Sequence, residues 1–230
     1  KENYYQKNSE KGYFFGNENI LEKLGILKGE EVTTTKYLHL LQGVNPNNGE
    51  PLLKNSSDEK RRVGIDLTTS APKSVSIIEE YLRASGKIEE ADKIREAHQK
   101  ANTLAMQEME QFCRTRIYND QGTRISANDV EIIRAEFLHD TSRENKINGN
   151  MDMQLHTHNM LFNLVLHKDK FYSLSNEELY KNKMFLGQVY RNELAKNMQD
   201  LGYEIETTDY EKGFFVINNI EKESKASHLI

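Results

Sequence analysis

The chain has 230 residues, of which 37% are hydrophobic and 9% aromatic, and this composition predicts a folded core rather than a disordered chain. With 31 basic and 36 acidic side chains its formal net charge is -5, which argues against a surface that binds nucleic acid everywhere but permits a local basic groove. The single cysteine, Cys113, excludes an internal disulfide framework and a multi-cysteine zinc site, and together with the lack of a long apolar run it favours a cytoplasmic protein without a membrane segment.

The first predicted elements follow a turn-rich loop at residues 45–51. Residues 63–69 alternate apolar and polar side chains and predict a strand. Ser70 is placed to cap the helix that follows, because a serine oxygen can accept from the first unpaired backbone amides of a helix. A second helix is predicted from Ile88 to Ile117, with its apolar residues at the spacing of one buried face. We interpret Cys113, which lies on that face, as a core residue.

The second half of the chain predicts mainly strands. They are expected at residues 130–139, 154–166, 171–174, 203–208 and 214–217. A turn at residues 168–170 folds the long strand back, and a helix is predicted from Ser175, which has capping-box spacing, to Gly202. Because helices and strands do not alternate as regular βαβ units, we predict an α+β fold with a mainly antiparallel sheet.

The long strand contains two histidines that suggest a metal site. His156 and His158 are two residues apart, so their imidazoles project from the same face of the strand. His139, at the end of a neighbouring predicted strand, could complete a three-histidine site that leaves coordination positions open on a divalent ion. The alternative is a partly buried histidine pair that is satisfied by hydrogen bonds. The spacing alone leaves both interpretations open.

Asp66 and the adjacent tyrosines Tyr4 and Tyr5 are the other candidate functional residues. Asp66 lies inside a predicted strand, where an ionisable group needs a partner, and it could orient a histidine or accept a proton from a hydroxyl. It could equally lie on the solvated face of an edge strand. A tyrosine phenolate beside a metal can attack phosphorus, although adjacent tyrosines are more often ordinary surface or core residues.

Several motifs occur in an order that identifies a family. They are Tyr4-Tyr5, Leu40-Leu41-Gln42-Gly43, the stretch from Gly64 to Ser76, His139-Asp140-Thr141-Ser142-Arg143, and Gln154-Leu155-His156-Thr157-His158-Asn159. Together they resemble the relaxase domain of plasmid conjugation proteins, an HUH-type endonuclease of the two-tyrosine-pair, helicase-fused type. The resemblance covers about residues 4–217 and implies a palm-like sheet flanked by helices. It also implies that residues 1–230 are one relaxase domain, the N-terminal fragment of a longer protein.

The resemblance assigns roles to the candidate residues. It implies that a divalent metal ion, Mg²⁺ or Mn²⁺ before Zn²⁺ or another transition metal, binds to three side chains: His139, His156 and His158. Asp66 would assist a tyrosine or orient a histidine. Tyr4 or Tyr5 would attack one phosphate of the DNA strand, leaving a free 3′-hydroxyl and a 5′-phosphotyrosine. Counted back from Gly16, these tyrosines have the spacing of the family's second pair. Either the first pair lies before Lys1, or this branch of the family works with one pair.

The expected function is therefore that of a metal-dependent, site- and strand-specific DNA nickase and transesterase that initiates conjugative plasmid transfer in the bacterial cytoplasm. Its expected partners are single-stranded origin-of-transfer DNA with a hairpin, accessory conjugation proteins and a fused helicase domain. Two alternatives remain: a three-histidine phosphodiesterase that uses water as the nucleophile, and a DNA hairpin-binding module that does not cleave. Basic side chains that could contact DNA, or simply lie in solvent, cluster at residues 60–62, 114–116 and 181–183.

Overall fold

The structure, a computed structural model, describes residues 11–142 and 152–218. The first part of the chain contains β1 (Gly12–Gly16), α1 (Glu18–Leu24), α2 (Thr34–Gln42), β2 (Gly64–Ser70), α3 (Lys73–Ala84), α4 (Ile88–Glu110), β3 (Arg114–Tyr118) and β4 (Arg124–Ala127). The second part contains β5 (Glu131–Thr141), β6 (Met153–His167), β7 (Lys170–Tyr172), β8 (Leu174–Ser175), α5 (Glu177–Asp200), β9 (Ile205–Asp209) and β10 (Phe214–Ile217).

The strands of the described residues form one larger sheet and two small ones. In the larger sheet the order is β1-β5-β6-β2, and β7 pairs with β6. The pairings β1 with β5 and β6 with β7 are antiparallel, with Phe14 opposite Ala135 and Val165 opposite Tyr172. The small sheets, β4-β3-β8 and β10-β9, are also antiparallel. The predicted α+β class with antiparallel sheets is confirmed.

The chain divides into two compact units, and the boundaries between them fall inside β2, α4, β5, β6 and α5. Among the described residues, unit one comprises residues 11–68, 109–138 and 157–182. Its core is aromatic: the Tyr37 ring of α2 packs edge-on against Phe137 of β5 and Phe162 of β6, with centroid distances of 5.7 and 5.6 Å. Each such side chain contributes roughly 1.5–3 kcal/mol when it is fully buried, so this cluster fixes the middle of the two strands firmly.

The described part of unit two comprises residues 69–108, 139–142, 152–156 and 183–218. In it the buried face of α4 includes His98, whose Nδ1 lies 2.6 Å from the hydroxyl of Tyr190 on α5. Ser74 at the start of α3 accepts a hydrogen bond from the backbone amide of Ile217, the last residue of β10. These contacts join α4 to α5, and α3 to the small β9-β10 sheet, within the unit.

Three expectations from the sequence were wrong. Ser175 does not open the last helix, because it is the last residue of β8 and α5 begins at Glu177. Ser70 does not cap α3, because it is the last residue of β2; Pro72, in an extended conformation, takes the N-cap position and makes no side-chain cap. The long helix does not reach Ile117. It ends at Glu110 in a tight turn where the amide of Cys113 donates to the carbonyl of Glu110, and β3 follows at once. Among the described residues, no helix combines the length and the apolar character that crossing a membrane requires.

The interpretation of Cys113 as a core residue is confirmed. Its thiol is fully buried at the end of the α4 turn, and Sγ contacts the Met109 sulfur at 3.4 Å. Burial raises the pKa of the thiol to about 12, because the thiolate would lose its hydration. A thiol held neutral in this way packs as a small apolar group.

Candidate functional site

The three histidines predicted to bind a metal lie together. His139 lies near the end of β5, whereas His156 and His158 share one face of β6, and their exposed fractions are only 4%, 8% and 7%. One ring nitrogen from each of the three lies within 4.8 Å of the other two. The rings of His139 and His156 are 5.2 Å apart between centroids. Three imidazoles that converge in this way can present nitrogen ligands to one ion.

Hydrogen bonds fix which nitrogen of two of these rings carries the proton. The Nδ1–H of His158 donates to Oδ2 of Asp66 at 2.7 Å, and the Nδ1–H of His156 donates to the backbone carbonyl of Gln154 at 2.7 Å. Both partners only accept, so Nδ1 is the protonated nitrogen in each ring and Nε2 carries the lone pair. Neutral imidazoles held by such bonds have the donor chemistry of a divalent metal site.

Asp66 therefore contacts a histidine, as one of the two interpretations of its position expected. It lies on β2, its side chain is 28% exposed, and its carboxylate holds His158, one of the three candidate ligands. Thr68, two residues further along the same strand, reaches both groups: its Oγ1 lies 3.2 Å from Nδ1 of His158 and 3.3 Å from Oδ1 of Asp66. Sequence reasoning missed Thr68, although its position two residues from Asp66 places it on the same face of the strand.

Tyr37, the tyrosine of α2, lies close enough to Asp66 to be influenced by its charge. Burial, and then the negative charge of Asp66, raises the pKa of the Tyr37 phenol well above its ordinary value. Tyr37 thus remains protonated and belongs to the core. The predicted nucleophiles Tyr4 and Tyr5 lie outside the described residues, so their role stays a prediction.

Unit one also contains a groove of 790 Å³ with basic and aromatic walls, which we call the basic groove. Its cationic and aromatic lining residues are Lys54, Arg116, Lys168, Lys170, Tyr118, Phe171 and Tyr172. Tyr118 is 73% exposed, so a flat ligand can reach its ring. Cations with accessible aromatic faces are typical of surfaces that bind single-stranded nucleic acid, because they match phosphates and bases respectively.

Only one of the predicted basic clusters contributes to the basic groove, through Arg116. Arg61 and Arg62 instead donate to the backbone carbonyls of Leu41 and Leu174, at 2.6 and 2.7 Å, and so brace the backbone. The sequence predicted Lys168 and Lys170 as residues of the turn at 168–170, where Lys168 and Asp169 adopt left-handed φ values of 44° and 63°, but assigned neither lysine a role in binding. The tight turn brings Lys168 and Lys170 to the groove.

The chain is similar in sequence to proteins of DNA conjugation. Residues 1–227 match the profile of the TrwC relaxase family. The multifunctional conjugation protein TraI of Escherichia coli is 31% identical over 215 residues. That alignment covers 90% of this chain but only 11% of the length of TraI.

The fold is also similar to solved structures of the conjugative relaxase TrwC. A metal-bound complex of TrwC with OriT DNA superimposes with a TM-score of 0.75 at 29% identity, covering 95% of this chain and 71% of TrwC. A complex of TrwC with a 27-mer DNA that comprises the recognition hairpin and the cleavage site gives a TM-score of 0.72 at 31% identity, covering 94% and 73%. The family match in sequence and the structural matches thus both lead to TrwC.

Proposed function

Because the chain belongs to the TrwC relaxase family, we propose that it is a metal-dependent DNA relaxase that nicks one strand at a plasmid origin of transfer. The family match confirms the resemblance found in the sequence. The observation that carries the proposal is the convergence of His139, His156 and His158, with Asp66 bonded to the far nitrogen of His158. This arrangement offers three imidazoles to one ion, and hydrogen bonds hold the rings of His156 and His158 in place before any substrate binds.

The chemistry follows from what these residues hold. A divalent ion at the three histidines would offset the negative charge that grows on the phosphate oxygens during displacement. Asp66 and the carbonyl of Gln154 keep the rings of His158 and His156 in the tautomer that presents Nε2. We propose that the hydroxyl of Tyr4 or Tyr5 attacks the scissile phosphorus. The new bond joins phosphorus to the tyrosine oxygen, the bond to the 3′-oxygen breaks, and the proton lost by the tyrosine is balanced by one gained at that oxygen.

The donor set bears on the identity of the metal. Imidazole nitrogens suit Zn²⁺, Cu²⁺, Ni²⁺ and Fe²⁺, whereas Mg²⁺ and Mn²⁺ prefer oxygen ligands. The three candidate ligands are all imidazoles. We therefore infer that Zn²⁺, Cu²⁺, Ni²⁺ or Fe²⁺ binds more tightly than Mg²⁺ or Mn²⁺, which reverses the order expected from the family resemblance. Competition between these ions, measured by calorimetry, tests this order directly.

We propose that the DNA partner is single-stranded origin DNA with a recognition hairpin and that it contacts the basic groove. The chain is net acidic, so affinity has to come from local cations such as Lys168, Lys170 and Arg116. Residues 1–230 would form a relaxase domain that works with accessory conjugation proteins and a fused helicase in the bacterial cytoplasm. The chain spans only 11% of the length of TraI.

One incubation tests the proposed activity. Origin-of-transfer DNA labelled at its 3′ end is mixed with the protein and Mn²⁺ or Zn²⁺, and the products are separated on a denaturing protein gel. A relaxase gives a labelled protein band that requires metal and disappears in His156→Gln, whereas His39→Gln, a change at a histidine that bonds to the carbonyl of Pro46, retains it. A free 5′-phosphate without an adduct would instead establish the water-dependent phosphodiesterase, and binding without any cleavage would establish the hairpin-binding module.

Peptide mapping of the adduct tests the choice of nucleophile. The label should map to Tyr4 or Tyr5, or to a tyrosine upstream of Lys1 when the longer protein is used. An adduct on Tyr13, Tyr118 or Tyr172 would overturn the positional assignment.

A further inference from the structure

The candidate ligand His139 lies close to the end of a strand. Only Asp140 and Thr141 follow it within β5. Strand ends open more readily than strand centres, yet a metal ligand has to stay within about 0.5 Å of its productive position. Backbone pairing holds this end to the residue that precedes β6, because the amide of Ser142 donates to the carbonyl of Asp152 at 2.7 Å. A side-chain bond to a rigid helix would fix the end of β5 further and so support a preformed site at His139.

Arg95 of α4 provides such an attachment within unit two. Its Nη2 donates to Oδ2 of Asp140 at 3.0 Å, and its Nε donates to Oε1 of Glu79 at 2.6 Å. Glu79 lies on α3 and its side chain is only 2% exposed, so its carboxylate is held in the interior. Because a guanidinium is planar and its donors are fixed relative to one another, the two bonds hold the Asp140 carboxylate at a set distance from Glu79.

Glu79 has a second arginine partner, which contacts Asp92 instead of Asp140. Nη2 of Arg83 contacts the same Oε1 atom of Glu79 at 2.8 Å, and its other acidic partner is Asp92, also at 2.8 Å. A buried carboxylate left without any cation is strongly destabilising. Removal of either arginine alone leaves Glu79 with the other, so the effect of Arg95 on Asp140 can be separated from its effect on folding.

We propose, on the basis of the metal-binding role inferred above for His139, that Arg95 is a positioning residue of the metal site. Side chains alternate across a strand, so Asp140 projects from the face opposite to His139. Arg95 holds the strand through Asp140 without occupying the side from which His139 reaches the metal. The linkage Glu79–Arg95–Asp140 thereby fixes the backbone that carries the ligand.

The matched variants Arg95→Gln and Arg83→Gln test this role, with Co²⁺ alone as the probe. Each removes one arginine from Glu79, so both should lower the melting temperature of the metal-free protein by similar amounts. Only Arg95→Gln should weaken Co²⁺ affinity, by about tenfold, the low end of the range for residues that orient metal ligands. It should also change the visible absorption bands of bound Co²⁺, which report ligand geometry, while Arg83→Gln leaves them unchanged.

Two further variants complete the test. Asp140→Asn keeps the bond between Arg95 and Glu79 but leaves Arg95 only a neutral acceptor at residue 140, so it should reproduce part of the loss of affinity. The double variant Arg95→Gln/Asp140→Asn should be no worse than Arg95→Gln alone. Arg95→Lys keeps the charge but lacks the two fixed donors that bond Glu79 and Asp140 at once. Its Co²⁺ affinity should therefore lie between those of Arg95→Gln and the wild type. Equal Co²⁺ affinities in Arg95→Gln, Asp140→Asn and the wild type would overturn the positioning role alone. A wild-type protein that binds no Co²⁺ would overturn the metal site as well.

Discussion

Removal of the Asp66 carboxylate should weaken metal binding in graded steps. The Nδ1–H of His158 donates to Oδ2 of Asp66 at 2.7 Å. A hydrogen bond to a charged group contributes about 1.5–3 kcal/mol, against about 0.5–1.5 kcal/mol for a neutral one. A cation at Nε2 makes the Nδ1–H more acidic, so the bond to the carboxylate is stronger in the metal-bound state and part of its energy appears as metal affinity.

The two substitutions at this position remove different amounts of that energy. Asp66→Asn keeps an acceptor oxygen and loses the charge, which costs about 1.4 kcal/mol and should weaken affinity about tenfold. Asp66→Ala removes both and should weaken it by up to about 100-fold. Thr68 limits the loss, because its Oγ1 lies 3.2 Å from the same Nδ1 and can replace the carboxylate as acceptor. Asp66→Ala/Thr68→Val should therefore bind metal more weakly than Asp66→Ala.

Calorimetric titration with metal measures each affinity, and metal-free melting temperatures show whether the variants fold. Cleavage at saturating metal then separates the two possible roles of Asp66. If the carboxylate only orients His158, saturating metal should restore the cleavage rate of Asp66→Asn. If it also accepts the tyrosine proton, the rate should stay ~100-fold or more below wild type. Wild-type metal affinity in Asp66→Ala would refute the orienting role.

Three other properties can be measured on the same protein. Lys168→Ala/Lys170→Ala should make the fall of log affinity for single-stranded DNA with log salt less steep, by ~0.7 for each phosphate that the protein no longer neutralises. Lys100→Ala, outside the basic groove, should leave this slope unchanged. Burial, followed by the charges of His156 and Arg95, lowers the pKa of His98 to about 3. Below pH 6.5 the unfolded state therefore binds a proton at this histidine that the folded state does not bind. The free energy of unfolding should accordingly fall by about 2 kcal/mol between pH 7 and pH 5. Urea unfolding of metal-free wild type and His98→Gln should show this loss only in the wild type. The Cys113 thiol, with its pKa raised to about 12, should resist a thiol reagent at pH 8 in the native protein and react once per chain in guanidinium; reaction of the native protein would contradict its burial.

Local geometry explains why part of the site was predictable from the sequence. His156 and His158 share a face because side chains on a strand repeat every two residues, whatever the strand pairs with. The strand that carries Asp66 and most of the helices and strands after it were likewise indicated by apolar periodicity and turn residues. The end of α4 was not, since residues 111–113 contain neither glycine nor proline, and the strand β3 that follows is stabilised by pairing with β4 and β8.

The choice of partners was decided by the tertiary structure. Whether Asp66 faces solvent or a histidine depends on the pairing of β2 beside β6, which no local pattern encodes. The need for glycine at position 16 also depends on strand pairing. A Cβ atom there would lie 2.4 Å from the carbonyl oxygen of Ile132, and this clash arises only because β1 lies against β5. The contacts of Arg95 could not be predicted from the sequence either, because its acceptors Glu79 and Asp140 are 16 and 45 residues away. Side-chain direction along one strand follows from backbone geometry alone, whereas contacts between distant residues exist only after the chain has closed the loops that separate them.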